Sequence, residues 1–389
     1  APRHSLGGPL QRRLVHPAVT FWVMRVSTNF LLGLFLGGLT LVGCDCHGPE
    51  PVWNPTPYAL EIPPFFPPMD IPADNPLTEE GVRLGRMLFW ETRLSENNAM
   101  SCGTCHLPEV SFADPEPYST GVTGAIGTRN AMALINMGWA SSYFWDGRAL
   151  TLEEQILEPI PHPDEMNLPW SDAVDRLTND DTDSDYSQRF FDAFGTTEIT
   201  ADLVSKAIAQ FVRIMISADS KFDQWRRGEV SLTDSEYNGY QMFLREGGDP
   251  EVVPGGQFGA DCFHCHGEAG LQFTDHLFHN NGLDPSFEAD PGRVLVTGTP
   301  MDSGRFRTPT LRNVALSGPF MHDGRFQTLE EVVEHYNSGG VASSTIDPFM
   351  KYTTGGLALA PSQKADLIAF LHTLTDTVFT QNPAFQNPH

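Results

Sequence analysis

The sequence predicts a mainly α-helical protein, made of two related helical domains joined by long loops and carrying little strand. Three observations predict it. A Cys-x-x-Cys-His motif occurs twice, at Cys102 to His106 and at Cys262 to His266. The segment after each motif repeats. No long run alternates polar with apolar residues, whereas Gly (35) and Pro (31) are frequent enough to cut helices short.

The motifs carry the chemistry. In Cys102-Gly103-Thr104-Cys105-His106 and Cys262-Phe263-His264-Cys265-His266, two thiols three residues apart reach the two vinyl groups of one haem. The adjacent His106 or His266 then lies under the iron as its proximal ligand. A zinc site of the Cys-x-x-Cys kind would need no trailing histidine. Two covalent haems also account for short helices, since a bound cofactor supplies much of each core. Four of the six cysteines are used in this way. Cys44 and Cys46 follow an apolar stretch, and no pair demands a disulfide.

The repeat shows where the two halves differ. Asp146-Gly147-Arg148-Ala149-Leu150-Thr151-Leu152-Glu153-Glu154 matches Asp323-Gly324-Arg325-Phe326-Gln327-Thr328-Leu329-Glu330-Glu331, an offset of 177 (323 less 146). Thr151 and Thr328 read as helix N-caps with a Glu three residues on, the pattern of a capping box. Projecting Tyr336 back by the same offset lands on Pro159. A tyrosine oxygen can ligate haem iron and a proline cannot. The second haem therefore carries Tyr336 on its far side, while the first keeps a vacant face under Pro159, where peroxide binds. Tyr336 also reads as a buried helix-face aromatic with His335 as the neighbouring donor, and Pro159 as a helix terminator. Trp145 and His322 are equivalent in the repeat, and Trp145 reads either as an electron relay between haems or as core packing.

The N-terminus reads as an address. Phe30 to Val42 is apolar and too short to span a bilayer, which suits the core of a signal peptide. It ends Leu41-Val42-Gly43-Cys44, a lipobox-like run that predicts lipid attachment at Cys44, with Met24 as a compact start and residues 1–23 as upstream extension. Asp45 after Cys44 hints at retention in an inner membrane. The domain plan is then extension and signal peptide over 1–43, a Pro-rich tether without regular structure over 44–68, a first haem domain over 69–225 and a second over 226–389. The predicted location is periplasmic. A formal charge of −25 excludes nucleic acid as a partner. An acidic surface either steers a basic electron-carrying protein or simply keeps the chain soluble.

These residues, with Leu84-Gly85-Arg86-Met87-Leu88-Phe89, Arg129-Asn130, Glu165-Met166-Asn167, Thr308-Pro309-Thr310-Leu311-Arg312-Asn313 and Pro319-Phe320-Met321-His322, resemble the bacterial dihaem cytochrome c peroxidase superfamily, which includes the MauG-type oxidases. The resemblance covers roughly Asn75 to Thr375. It implies two cytochrome-c-like helical domains with one calcium ion between the haems, held by Asn130 and the backbone carbonyls of Ser317 and Pro319. It also implies that Glu165 is a distal carboxylate moving a proton between peroxide oxygens, with Gln155 lining the same pocket. Two departures from typical peroxidases stand out. Thr120 to Thr128 has no histidine to block the first haem, and Tyr336 stands where those enzymes place methionine, as in MauG.

Three functions compete on this basis. The first is a peroxidase reducing hydrogen peroxide at an open first haem with electrons passed through the second from a small donor protein. The second is a MauG-like oxidase that modifies a residue of a partner protein. The third is a passive electron-transfer cytochrome, which needs neither a vacant face nor Glu165. The partners expected are hydrogen peroxide, a donor protein or protein substrate, a membrane reached through a lipid anchor, and a second copy of the chain.

Overall fold

The computed structural model describes residues 52–179, 184–248 and 256–389. The expected signal peptide and lipobox, with Cys44, lie outside them. The described residues form a mainly helical body with a single two-stranded sheet, as the glycine and proline content predicts. In chain order the helices are α1 (Glu79–Phe89), α2 (Cys102–Cys105), α3 (Leu152–Ile156), α4 (Trp170–Thr178), α5 (Tyr186–Phe194), α6 (Ala201–Arg213), α7 (Lys221–Arg226), α8 (Asp234–Phe243), α9 (Val294–Thr297), α10 (Leu329–Ser338), α11 (Pro361–Thr373) and α12 (Thr377–Thr380). No described helix is long and apolar enough to cross a membrane.

The hydrophobic core falls into two clusters, each built around one pair of crossing helices. In the first, α1 starts at Thr78, whose Oγ1 accepts from the Gly81 N–H. Gly81, Leu84, Gly85 and Leu88 then recur on one buried face. That face lies on α6, and at Gly85 the backbones are so close that a Cβ would stand 1.9 Å from the Ala207 carbonyl oxygen. In the second, α8 crosses α11 in the same manner, with a Cβ on Gly239 meeting the Asp366 carbonyl oxygen at 1.9 Å. Phe89, Phe112, Phe190 and Phe211 fill the first cluster; Phe222, Phe243, Phe273 and Phe370 fill the second.

The clusters do not follow the division drawn at 225/226. Phe222, on α7, packs against Phe273 and Phe370 in the second cluster. Beyond α11 the chain turns back, and Phe379 and Phe385 join the first cluster around Phe112. The Pro-rich stretch is also corrected. Residues 52–68 carry no helix, as expected, but they lie against the body rather than standing off it. Trp53 donates to the Asp192 carbonyl at 3.2 Å, Tyr58 N–H to the Leu77 carbonyl at 3.0 Å, and Pro67 accepts from the Trp139 indole at 2.9 Å. Phe66 is buried in the second cluster. Apolar side chains spaced between the prolines supply contacts that proline density alone does not reveal.

The repeat is visible in the backbone. Tyr143 bridges Ala149 and Phe320 bridges Phe326, each around a tight loop. Both loops hold an aromatic or Met residue and a glycine at positive φ: Phe144 and Gly147 in one, Met321 and Gly324 in the other. Both expected capping boxes form. Glu154 N–H donates to Thr151 Oγ1 at 3.1 Å, and Glu331 N–H to Thr328 Oγ1 at 3.2 Å.

Candidate functional site

Each Cys-x-x-Cys-His motif ends on a buried imidazole held in the same way. His106 Nδ1 lies 2.8 Å from the Phe112 carbonyl oxygen, and His266 Nδ1 lies 3.1 Å from that of Phe273. A carbonyl only accepts, so Nδ1 carries the proton and Nε2 keeps its lone pair for a metal. Phe112 and Phe273 both sit at positive φ, which turns their carbonyls toward the rings. Burial keeps both imidazoles neutral, moving His106 below its ordinary range and His266 down to about 4. Burial likewise pushes the Cys102 and Cys262 thiols up to about 12. The four motif cysteines form no disulfide. Neutral imidazoles with Nδ1 fixed on a backbone carbonyl, beside paired thiols in apolar surroundings, are the donor set that covalent haem requires, so the residues fit the cofactor.

Around the second motif lies a largely apolar cavity of about 220 Å³. Cys262, Cys265 and His266 line one side, and Tyr336 reaches it from α10. The Tyr336 hydroxyl accepts from Asn281 Nδ2 at 3.2 Å, and the same amide lies 3.4 Å from Met321 Sδ. Burial pushes the Tyr336 phenol up to about 12, with Asn281 pulling against it. His335, the neighbouring donor, is turned away, with Nε2 2.9 Å from the Asn281 carbonyl oxygen. The cavity also holds a charge clamp. His279 Nδ1 lies 2.6 Å from Asp347, and Nε2 lies 2.8 Å from Asp275. The strand pair β1 (Phe278–His279) and β2 (Phe306–Arg307) presents His279 and Arg307 to this space.

The first motif is surrounded differently. Helix α3 stops at Ile156, and the chain turns through Pro159, whose carbonyl accepts from the His162 and Met166 N–H groups at 3.3 Å. Gln155 lies in the last turn of α3, half-buried. Glu165 follows in this loop. Its carboxyl is raised above the ordinary range by desolvation, with His162 and Arg148 pulling it down. His162 Nδ1 stands 3.9 Å from Glu165 Oε1. Both Cys102 and Cys105 feel the charge of Glu165, which places it on the side of the first motif. The loop without histidine packs on it: Val122 N–H donates to the Glu165 carbonyl at 2.8 Å, and at Gly121 a Cβ would meet the Asp164 carbonyl oxygen at 2.1 Å.

Trp145 lines the second-motif cavity. Its indole donates to the Asn130 carbonyl at 2.8 Å, and its own carbonyl accepts from Arg307 N–H at 2.7 Å. Beside it, Arg129 ties the halves together through a two-point pair with Asp290 and a third bond to Asp146, each at 2.7 Å. A smaller cavity of about 90 Å³ brings together Asn130, Ser317 and Pro319, the three residues expected to hold calcium. Asn130 uses Nδ2 on the Glu116 and Pro117 carbonyls, which leaves its oxygen as an acceptor. No described Asp or Glu lines this cavity, whereas Arg307 does, with its Nε buried and unpartnered. Burial brings that guanidinium down to about 10. The oxygen donors suit a hard cation, whereas among the described residues no carboxylate lines the cavity to offset the charge of Arg307.

The sequence names the motif residues, Glu165, Trp145 and Tyr336; the fold sets Asn281, His279, Asp290 and Arg307 beside them, none of which the motifs point to. Arg307 directly precedes the singled-out run Thr308 to Asn313, a signal that was present in the sequence. His279 and Asn281 lie outside every repeated run, so only the fold brings them to the cavity.

Comparison with known proteins places these features in context. The di-haem cytochrome c peroxidase family model matches residues 79–231. The chain is 33% identical over 325 residues to the methylamine utilization protein MauG of Methylophilus methylotrophus, covering 82% of this chain and 91% of that protein. It is 33% identical over 346 residues to the cytochrome c551 peroxidase of Nitrosomonas europaea, covering 86% and 92%. Among solved structures, a MauG-like protein associated with microbial copper homeostasis superposes with a TM-score of 0.75 at 35% identity, covering 85% of this chain and 99% of that one. The diheme peroxidase BthA from Burkholderia thailandensis shares the fold, with a TM-score of 0.66 at 23% identity over 80% of this chain and 91% of its own.

Proposed function

The chain belongs to the di-haem cytochrome c peroxidase and MauG superfamily, a group of haem-peroxidase oxidoreductases with two c-type haems, and on that premise we propose that it reduces hydrogen peroxide at an open first haem with electrons drawn through the second. The observation that carries the reading is the broken symmetry of the repeat. Tyr336 enters the second cavity from a ten-residue helix, while its counterpart Pro159 lies beyond the end of a five-residue one.

Bound haem iron supplies the redox chemistry, in which peroxide takes up two electrons and two protons to give two waters. The chain supplies the rest. His106 and His266 offer Nε2 as metal ligands, and Tyr336 offers its oxygen at the second site. Glu165 takes the proton of one peroxide oxygen on its carboxylate and returns it to the other. A raised carboxyl suits that exchange, because it is poised nearer to neutral pH than an ordinary glutamate. Gln155 and Pro159 shape the same face, and Trp145 carries electrons between the halves. Asn130, Ser317 and Pro319 hold one calcium ion that fixes the junction.

For the electron source we favour a residue of a partner protein, in the MauG manner. An anionic tyrosine oxygen stabilises the ferric state and so disfavours easy reduction by an ordinary cytochrome c. A small donor protein is the second reading, supported by the relatives named cytochrome c peroxidase. Export and lipid anchorage at Cys44 complete the proposal, since c-type haem attachment is finished outside the cytoplasm. The deciding experiment is the absorption spectrum of the fully ferric protein before and after one equivalent of hydrogen peroxide. An immediate shift to a long-lived oxidised species is expected. No change until the protein is first reduced would overturn the open first haem.

A further inference from the structure

Asn281 is tied to two consecutive residues of α10. Its backbone carbonyl oxygen lies 2.9 Å from His335 Nε2, and its side-chain amide donates to the Tyr336 hydroxyl at 3.2 Å. The segment around it is pinned from the other side. Gly282 accepts from Val341 N–H at 2.7 Å, and Asn280 Nδ2 donates to Ser343 and Thr345 at 3.0 Å. The amide therefore has little freedom to move. The one nitrogen, Nδ2, is within reach of two acceptors in one apolar cavity, the phenolic oxygen and the Met321 sulfur at 3.4 Å, so a shift toward either weakens its bond to the other. Met321 is held there by a backbone at φ 75°.

We propose that Asn281 is a positioning residue of the second haem site: its amide fixes the Tyr336 oxygen and, shared with the Met321 sulfur, sets how much negative charge that oxygen keeps. The proposal rests on the reading that Tyr336 is the ligand there. A thioether is a weak acceptor and a tyrosine oxygen bearing charge a strong one, so the amide serves mainly the oxygen. An N–H donated to that oxygen withdraws charge and makes the bound metal easier to reduce. Removing the donor leaves the charge on the oxygen and lowers the potential. Removing the competing sulfur commits the amide to the oxygen and raises it. A purely structural role would not separate these two directions.

The test uses the loaded dihaem protein and reads the ferric absorption and electron-paramagnetic-resonance spectra together with the midpoint potential of the second haem. In Asn281→Leu the potential falls, with about a tenfold change in the reduction equilibrium, or about 59 mV for one electron. Asn281→Gln, which keeps the amide, recovers part of the shift. Met321→Leu moves the potential upward. Shifts in one direction for both leucine variants, or none in either, overturn the role of Asn281. If Asn281→Leu does not fold, Met321→Leu decides alone, and an unchanged or lowered potential overturns it. Tyr336→Phe separates the premise: an unchanged spectrum there overturns ligation by Tyr336 itself, whereas a changed spectrum with silent Asn281 and Met321 variants overturns only the present inference.

Discussion

In the second half of the molecule the helix that opens at Thr328 runs ten residues and delivers Tyr336 to the cavity. In the first half the equivalent helix opens at Thr151 with the same capping box, yet stops after five residues and gives way to a turn through Pro159 that leads to Glu165. The two halves share everything that holds a cofactor: a proximal imidazole on a backbone carbonyl, a crossing of helices at a glycine, and a tight loop with a glycine at positive φ. They part most visibly beyond the repeated helix start. One shortened helix is enough to set different side chains beyond it, Tyr336 in one half and Pro159 with Glu165 in the other.

The sharpest way to break this comparison is at Glu165, which has no counterpart in the second half. Glu165→Gln keeps the shape of the side chain and removes the proton acceptor. Peroxide consumption should fall roughly 10²–10⁴-fold, the usual worth of a positioned general acid–base group, with both haem spectra unchanged. The pH profile adds a sign. The working form is the carboxylate, so activity is lost as pH falls through the pKa of Glu165. Desolvation puts that limb above the ordinary 4.5. In Glu165→Gln the limb should vanish. A wild-type rate with the limb intact would remove Glu165 from the chemistry.

Much of this asymmetry was legible from spacing alone. The cysteines and histidines of both motifs, the capping boxes and the opposition of Tyr336 to Pro159 all come from local sequence, because each depends on residues a few positions apart or on a constant offset. The Pro-rich stretch and the domain division were less legible. Trp53, Phe66 and Trp139 find partners more than seventy residues away or in the other cluster, and nothing local announces them. The cavity partners Asn281 and His279 were hidden for the same reason. His279 ends a two-residue strand and Asn281 follows it, and a strand pair that short leaves no periodic signal.

The charge clamp at His279 tests the second half in isolation. Near the first motif Asp114 accepts from Ser119 Oγ at 2.6 Å, with no histidine between carboxylates. His279 is held between Asp275 and Asp347. Burial opposes its charge, but the two carboxylates outweigh burial and hold it up to about 12. Its folded pKa thus lies above the unfolded 6.5. The stability it contributes is fully present below that unfolded value and declines as pH rises toward the folded one. His279→Gln leaves the buried carboxylate of Asp347 and the half-buried one of Asp275 without the charge between them and should cost about 3 kcal/mol near pH 6, less at pH 9. Urea unfolding at the two pH values measures it. An equal cost at both would show that packing, not charge, is what His279 provides.

The shared architecture can be probed by Gly85→Ala and Gly239→Ala. Either methyl group meets a backbone carbonyl at 1.9 Å, and each change should cost about 2 kcal/mol as the helices are forced apart. The informative result is the shape of the transition. Phe379 and Phe385 come from beyond α11 yet pack in the first cluster, so the cores are laced together. Both variants should therefore lower one common midpoint. Two separate transitions, each moved by only one variant, would show that the clusters unfold independently.

The smallest expected effect lies at the junction, where the halves must communicate if their difference is to matter. Trp145 donates its indole N–H to the carbonyl of Asn130, a residue that lines the smaller cavity, and its own carbonyl accepts from the Arg307 backbone. Trp145→Phe keeps an aromatic ring in place but removes that N–H and substitutes a ring that is harder to oxidise. If Trp145 only fills space, peroxide consumption and the exchange of electrons between the two haems should both be unchanged. If it carries electrons, exchange should slow about tenfold, equivalent to about 1.4 kcal/mol in barrier, while each haem keeps its own spectrum. Stopped-flow absorption after one equivalent of peroxide separates the two, because only loss of communication leaves the first site responding at its normal rate while the second lags behind.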